Sequence, residues 1–309
     1  MRVFVTGASG WIGSALVPDL IAAGHEVVGL ARSDTSAERL EAAGALPHRG
    51  DLADPAGLAA AAAGCDGVVH LAFQHDVAFE QGDFGAAATA DRRAVEAMGS
   101  ALAGSDRPFV LASGVAGLAT GRMATEADGL VATDELRATP LSLRAYTALF
   151  TLSLAGVGVR SSVVRFSPTV HGAGDDGFVA TFVRIARQRG EALYVDDGTN
   201  RWPAVHVSDA ARLVRLAVEA APAGSVLHAV GEEGVAFRDI AEAIGRQLGV
   251  PATSVTPEEA LGHAGFLGHL AGVDMPASAA MTRAVTGWEP TGPTLVDDLD
   301  AGGYAGAAA

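Results

Sequence analysis

Along the chain, short runs of β-branched apolar residues alternate with longer Ala/Leu-rich stretches that repeat at helical spacing. Strands are expected at 3–5, 26–31, 67–71, 109–112 and 161–165, with helix-period stretches at 12–23, 91–103 and 142–155. The strand runs are apolar almost throughout, the pattern of a parallel sheet covered by helices on both faces. βα units in this order point to a doubly wound, Rossmann-type α/β domain. Pro18 falls inside the first helical stretch, where it removes an N–H and is expected to kink the helix.

After residue 165 the rhythm changes. Gly172-Ala173-Gly174-Asp175-Asp176-Gly177 reads as a loop, followed by a helix over 178–189. A short strand at 204–207 leads into Ser208 and Asp209, both N-cap types, and a helix to Ala220. A strand near 226–230 and helices near 237–248 and 257–270 follow, and the Ala/Gly-rich tail after Leu299 is expected to fray. The division this suggests is a nucleotide-binding domain of residues 1–165 plus about 200–222. A smaller, interleaved C-terminal substrate lobe would take about 166–199 and 223–309.

Composition narrows the class. The 309 residues are 49% hydrophobic, ample for a sizeable core. A formal charge of −15, from 36 acidic against 21 basic residues, argues against nucleic acid as a partner. All the basic residues are Arg; the chain has no Lys. Cys65 is the single cysteine, which excludes an intrachain disulfide and fits a reducing cytoplasm. The opening residues carry no signal-peptide apolar region, and no apolar run reaches the roughly 18–20 residues of a membrane span. No His, Cys and carboxylate set has metal-ligand spacing. The expectation is a cytoplasmic protein acting on a small molecule, away from membranes; a homodimer is left open.

The chemistry is concentrated at the start. Thr6-Gly7-Ala8-Ser9-Gly10-Trp11-Ile12-Gly13 follows the first strand and opens a helix, with glycines spaced G-x-x-G-x-x-G. Such a loop gives a tight turn, close backbone approach to a pyrophosphate, and a helix N-terminus whose N–H groups attract negative charge. The second strand ends Ala31-Arg32-Ser33, with no acid before Asp34 to accept from a ribose 2′-hydroxyl. Arg32 can pair with a 2′-phosphate and Ser33 can donate to it, so NADP(H) is favoured over NAD(H).

Several further segments carry a resemblance. Gly50-Asp51-Leu52, His70-Leu71-Ala72, the stretch 165–172, WPAVHVSDAA at 202–211 and Gly287-Trp288-Glu289-Pro290 stand in matching order. With the glycine loop, they make the chain similar to the short-chain dehydrogenase/reductase superfamily, in its extended NAD(P)-dependent epimerase/dehydratase branch. The resemblance spans nearly the whole chain. It implies cofactor contacts from Gly7, Ser9, Gly10, Trp11, Ile12 and Gly13. It also implies contacts from Asp51 and Leu52 at the adenine, Leu71, Ala72 and Phe73 after the fourth strand, and Ser167 and Pro168 beside the nicotinamide.

The family's Tyr-x-x-x-Lys pair is missing. Counting back without gaps from Gly158 and Arg165 puts Pro140 at the Tyr position and Arg144 at the Lys position. Arg144 can bind ribose hydroxyls but is a permanent cation. Tyr146 is the substitute acid by residue type, yet it lies about 9 Å along and roughly 240° around the helix from Pro140, where an ordinary half-buried role is the competing reading. Ser113, after the fifth strand, stands near the family's hydroxyl position, and its competing role is local backbone bonding. His75, His171 and His206 are further proton-transfer candidates, with His206 assigned to the family scaffold and His75 and His171 to the pocket. Phe73, His75, Val115, Tyr146, His171, Phe178 and Trp202 are expected to wall a substrate pocket. The leading reading is an NADPH-dependent reductase of a small organic carbonyl or related substrate. A redox-inactive NADP(H)-binding sensor or scaffold is the alternative, and a sugar-nucleotide epimerase or dehydratase a third.

Overall fold

Val3 and Val5 point to one side of the first strand and Phe4 to the other, and all three are fully buried. That two-sided burial organises the protein. The computed structural model describes residues 1–131 and 140–304. Its strands are β1 (Arg2–Thr6), β2 (Glu26–Ala31), β3 (Leu46–Arg49), β4 (Gly67–His70), β5 (Pro108–Gly114) and β6 (Arg160–Phe166). They continue with β7 (Thr169–His171), β8 (Ala192–Val195), β9 (Arg201–His206), β10 (Ser225–Ala229), β11 (Glu232–Ala236) and β12 (Ala252–Val255). Seven of them form one parallel sheet in the order β10-β6-β5-β4-β1-β2-β3. The order reverses between β1 and β4, where doubly wound sheets open a ligand crevice at the strands' C-terminal ends.

Helices cover both faces. On one, Leu16, Val17 and Leu20 of helix Trp11–Ala22 meet Leu213, Val214 and Ala217 of helix Val207–Ala220 over Val3, Val5 and Val110. On the other, Leu58, Val95 and Met98 pack over Phe4, Val68 and Phe109. Helix Trp11–Ala22 passes through Pro18 without the division that Gly265 (φ 54°, ψ −133°) makes in helix Pro257–Ala271. Pro18 and Ser14 are exposed, so the Ser14 carbonyl that loses its helical partner is open to solvent.

The second lobe holds the sheet β11-β9-β7 and the pair β12-β8. Its core is aromatic: Trp202 is ringed by Phe178, Phe182 and Phe237 at centroid distances of 5.1–6.2 Å. Two features depart from the sequence reading. Strand β10, assigned above to the smaller lobe, pairs with β6 as an edge of the large sheet. The tail after Leu299 is packed as far as Tyr304, which is 1% exposed, because an aromatic ring outweighs its Ala/Gly neighbours. Residues 305–309 lie outside the described chain.

Two of the distant motifs grip each other. Trp288 donates its indole N–H to the Asp209 carbonyl (2.9 Å), and the Asp209 carboxylate accepts the N–H groups of Thr291 and Gly292 (3.0 and 2.7 Å). Asp209 is 3% exposed, so an apolar replacement takes the acceptor from several partly buried donors. Asp209→Ala is expected to lower the unfolding free energy by about 2–5 kcal/mol, with Asp209→Asn milder. Chemical denaturation measures this, and a loss below about 1 kcal/mol would show that the anchor is dispensable.

Candidate active site

The glycine loop leaves β1 at the switch point. Gly7 takes φ +68°, and a Cβ there would stand 2.8 Å from the Ala72 backbone nitrogen. A Cβ on Gly13 would fall 2.2 Å from the Gly7 carbonyl oxygen, so a side chain would push the helix off its own loop. Gly10 differs: it is exposed, and only the Gly7 carbonyl, at 3.3 Å, lies near its missing Cβ. Gly10 caps helix Trp11–Ala22 without a side-chain bond, which leaves the helix N-terminus facing the cleft. Ser9, Gly10, Trp11, Arg39, Gly174 and Asp176 line that cleft. The Trp11 indole N–H turns to the Val170 carbonyl (2.7 Å), and Ile12 packs on the core.

Beneath the loop runs a buried chain of hydrogen bonds. The Thr6 hydroxyl lies 2.6 Å from His70 Nδ1, and His70 Nε2 lies 3.1 Å from the Asp91 carboxylate. The Thr6 oxygen also accepts the Ala72 N–H at 3.3 Å. One assignment satisfies every group: His70 Nε2–H donates to Asp91, and its Nδ1 accepts from Thr6.

At the end of β2, Arg32 is exposed and pairs with Asp76 at 3.3 Å. The Ser33 hydroxyl is engaged as N-cap of helix Asp34–Ala42, accepting the Ser36 N–H. Arg39, on the last turn of that helix, is exposed at the cleft. After β3, the Asp51 carboxylate accepts the Ala53 N–H (2.8 Å) and Leu52 is buried.

The other end gathers around Phe73. The Arg144 guanidinium lies 4.1 Å from the Phe73 ring centre and donates to the Ala112 carbonyl at 3.2 Å. Burial lowers the Arg144 pKa, and the charge of Asp91 opposes that shift. His75 meets Phe73 edge-on at 5.2 Å, with Phe84 5.5 Å from Phe73 on another side. Desolvation depresses the His75 pKa, the Arg144 charge adds to the effect, and Asp176 opposes it. Leu71 and Ala72 are half-buried in the same turn, and Ser113, next to Ala112, is half-buried at the end of β5.

Other residues expected at the site are held elsewhere. Tyr146, about 200° around the helix from Arg144, lies beneath the Arg92 guanidinium at 4.8 Å. His171 is fully buried, its Nδ1 2.6 Å from Asp298. Val115 and Trp202 are 1% and 0% exposed, which makes them core residues and not pocket walls. Phe178 stays half-buried at the edge of the aromatic cluster. Ser167 turns its hydroxyl to the Ala229 carbonyl (3.0 Å), and Pro168 is half-buried beside it. Pro140 opens helix Pro140–Ser153 at the boundary of the described residues.

Sequence reasoning missed Arg39, Asp91 and Asp176. Arg39 lies six residues beyond the Ser33 cap, and its place on the last turn could have been projected from that cap. Asp91 gave no signal, being a carboxylate in an otherwise ordinary amphipathic stretch. Among the described residues no group of three or more His, Cys, Asp or Glu could hold a metal ion, and no helix is long and apolar enough to cross a membrane.

Comparison with known proteins agrees with this geometry. The family model described as the NAD dependent epimerase/dehydratase family matches residues 3–229. An uncharacterized protein of Schizosaccharomyces pombe is 45% identical over 305 residues, covering 98% of this chain and 100% of the relative. A 4-hydroxy-2-methyl-3-oxo-4-farnesyl-3,4-dihydroquinoline-1-oxide ketoreductase of Stigmatella aurantiaca is 30% identical over 233 residues, 73% of this chain and 67% of the relative. The dTDP-glucose 4,6-dehydratase of Streptomyces venezuelae, solved with NAD bound, superposes with a TM-score of 0.76 at 20% identity over 98% of this chain and 96% of its own. With the matching glycine loop, crevice and sheet order, the chain belongs to the NAD-dependent epimerase/dehydratase family and is an enzyme of its NAD(P)-dependent oxidoreductase type.

Proposed function

We propose that the protein is an NADPH-dependent reductase of a small organic carbonyl compound. The observation that carries this reading is the Phe73–His75–Arg144 cluster, beside the glycine loop and without the Tyr-x-x-x-Lys pair. The similarity to a ketoreductase supports the carbonyl substrate.

Free N–H groups at the start of helix Trp11–Ala22 would hold the pyrophosphate. Arg32 and Arg39 would take the 2′-phosphate, Arg32 giving up Asp76 to do so. The bound cofactor supplies the hydride. Arg144 is a fixed cation over Phe73 that can orient the ribose and stabilise negative charge developing on the carbonyl oxygen. It cannot give up its proton at accessible pH. His75 is the better proton source, since Tyr146 lies under Arg92 and His171 is buried against Asp298.

Cofactor choice is tested by calorimetric titration of wild type, Arg32→Ala and Arg39→Ala with NADPH and NADH. Each Arg contact with the phosphate contributes on the order of 1.5–3 kcal/mol, so each variant is expected to lose about tenfold or more for NADPH and little for NADH. Equal wild-type affinities for the two cofactors would reject the assignment.

Gly10→Val is expected to abolish NADPH binding while the circular dichroism spectrum stays native, because space that the protein leaves empty is needed by the pyrophosphate. A folded variant that binds normally would reduce the loop to a turn.

Turnover of NADPH across a panel of aldehydes and ketones separates the enzyme from a redox-inactive NADP(H)-binding sensor, which binds without consuming. With His75 as the acid, kcat falls as pH rises through the His75 pKa, which lies below its ordinary value of 6.5. Arg144→Ala removes one cause of that depression, so the midpoint should move up, while Arg144→Lys should hold it and retain part of the rate. His75→Gln should flatten the profile, and an unchanged profile in that variant would transfer the role to water or to Tyr146.

A further inference from the structure

The loop between β7 and helix Phe178–Arg189 reaches the cleft through Gly174 and Asp176, yet little in its own sequence holds its shape. Gly172 (φ +150°) and Gly174 (φ +91°) occupy backbone regions where glycine is loosely constrained. The β7–β9 ladder holds Val170 and His171, and the Asp175 N–H closes a turn on the Gly172 carbonyl; three side-chain contacts from elsewhere in the chain add to these. The Trp11 indole bonds to the Val170 carbonyl and lies 3.4 Å from where a Cβ on Gly172 would stand. His171 meets the Asp298 carboxylate at 2.6 Å. Tyr304 donates its hydroxyl to Asp175 at 2.8 Å, and the other Asp175 oxygen accepts the Gly177 N–H that starts the next helix. Two of these contacts come from the C-terminal segment, 127 and 129 residues farther along the chain.

The Tyr304 contact is buried and charge-assisted, with Asp175 8% exposed and Tyr304 1%. Burial raises the Tyr304 pKa, and the Asp175 charge raises it further, so the hydroxyl remains a donor at every working pH. Burial also raises the Asp175 pKa, so a carboxylate that loses this donor either takes up a proton or moves toward water. In the second case the polypeptide that moves is the wall of the cleft.

We infer that Tyr304 and Asp298 are positioning residues for the cofactor: docking of segment 295–304 on residues 171–175 sets the loop that lines the nucleotide cleft. The inference rests on the reading of that cleft as an NADP(H) site. Linkage makes the coupling reciprocal, so bound cofactor must tighten the C-terminal segment in turn.

The test uses NADPH itself as the probe, with Kd read from its own fluorescence and loop position from Trp11 emission. Trp11→Phe versions identify the Trp11 signal. Tyr304→Phe and Asp298→Asn should each raise the NADPH Kd about fivefold or more. Each should also change an emission component that is absent from the Trp11→Phe background. Wild-type Kd and emission in folded variants would overturn the inference. Should either variant fail to fold, hydrogen exchange of segment 295–304 in the unaltered protein decides: slower exchange with saturating NADPH supports the coupling, and no change overturns it. Failure of wild type to bind NADPH at all counts against the cofactor reading. In that case the Trp11 emission of Tyr304→Phe still decides whether the C-terminal segment holds the loop.

Discussion

The bonded chain from Asp91 through His70 and Thr6 to the Ala72 N–H is the constraint on which the site depends. It joins β1, β4 and helix Phe84–Ala101 at the one place where the sheet order reverses. Asp91 and His70 are 2% and 1% exposed, so their interaction is little screened by solvent. The near-contact of Gly7 with Ala72 needs the same closeness, and any retreat of β4 from β1 would widen the crevice. Asp91 also places its charge within reach of Arg144. The floor of the glycine loop and the cation over Phe73 therefore share one buried carboxylate.

That arrangement also explains how a protein of net charge −15 can offer an anion a home. At physiological ionic strength the Debye length is about 8 Å, so most of the acidic surface is screened from the cleft. What an incoming phosphate meets is local: a helix N-terminus at Gly10 and the exposed guanidiniums of Arg32 and Arg39. Two carboxylates oppose them, Asp76 paired with Arg32 and Asp176 on the facing loop. The placement of Asp176 makes the position of that loop matter for affinity as well as for shape.

Most of the fold was legible in the sequence because local rules govern it. Strands buried on both faces must be apolar at successive positions, and Val3, Phe4 and Val5 announce such a strand. The G-x-x-G-x-x-G spacing was legible too, since glycine alone combines the positive φ with the close approach to Ala72 at residue 7 and fits the closeness at residue 13. Helix Trp11–Ala22 runs on through Pro18, so its extent followed the apolar pattern and not the proline.

The catalytic end was far less legible. Histidine is suited to proton transfer wherever it stands, so residue type could not separate His75, set against Phe73, from His171, locked to a carboxylate 127 residues away. Apolar pattern could not tell a pocket wall from a core residue, and Val115 and Trp202 proved to be core. Nor could a tail of Gly and Ala reveal that Tyr304 closes on Asp175. By itself the sequence determined the sheet, the phosphate loop and the loss of the Tyr-Lys pair, all consequences of covalent spacing and residue identity. The tertiary structure alone decided which charges meet at the cleft, because desolvation and pairing act between residues that only folding brings together.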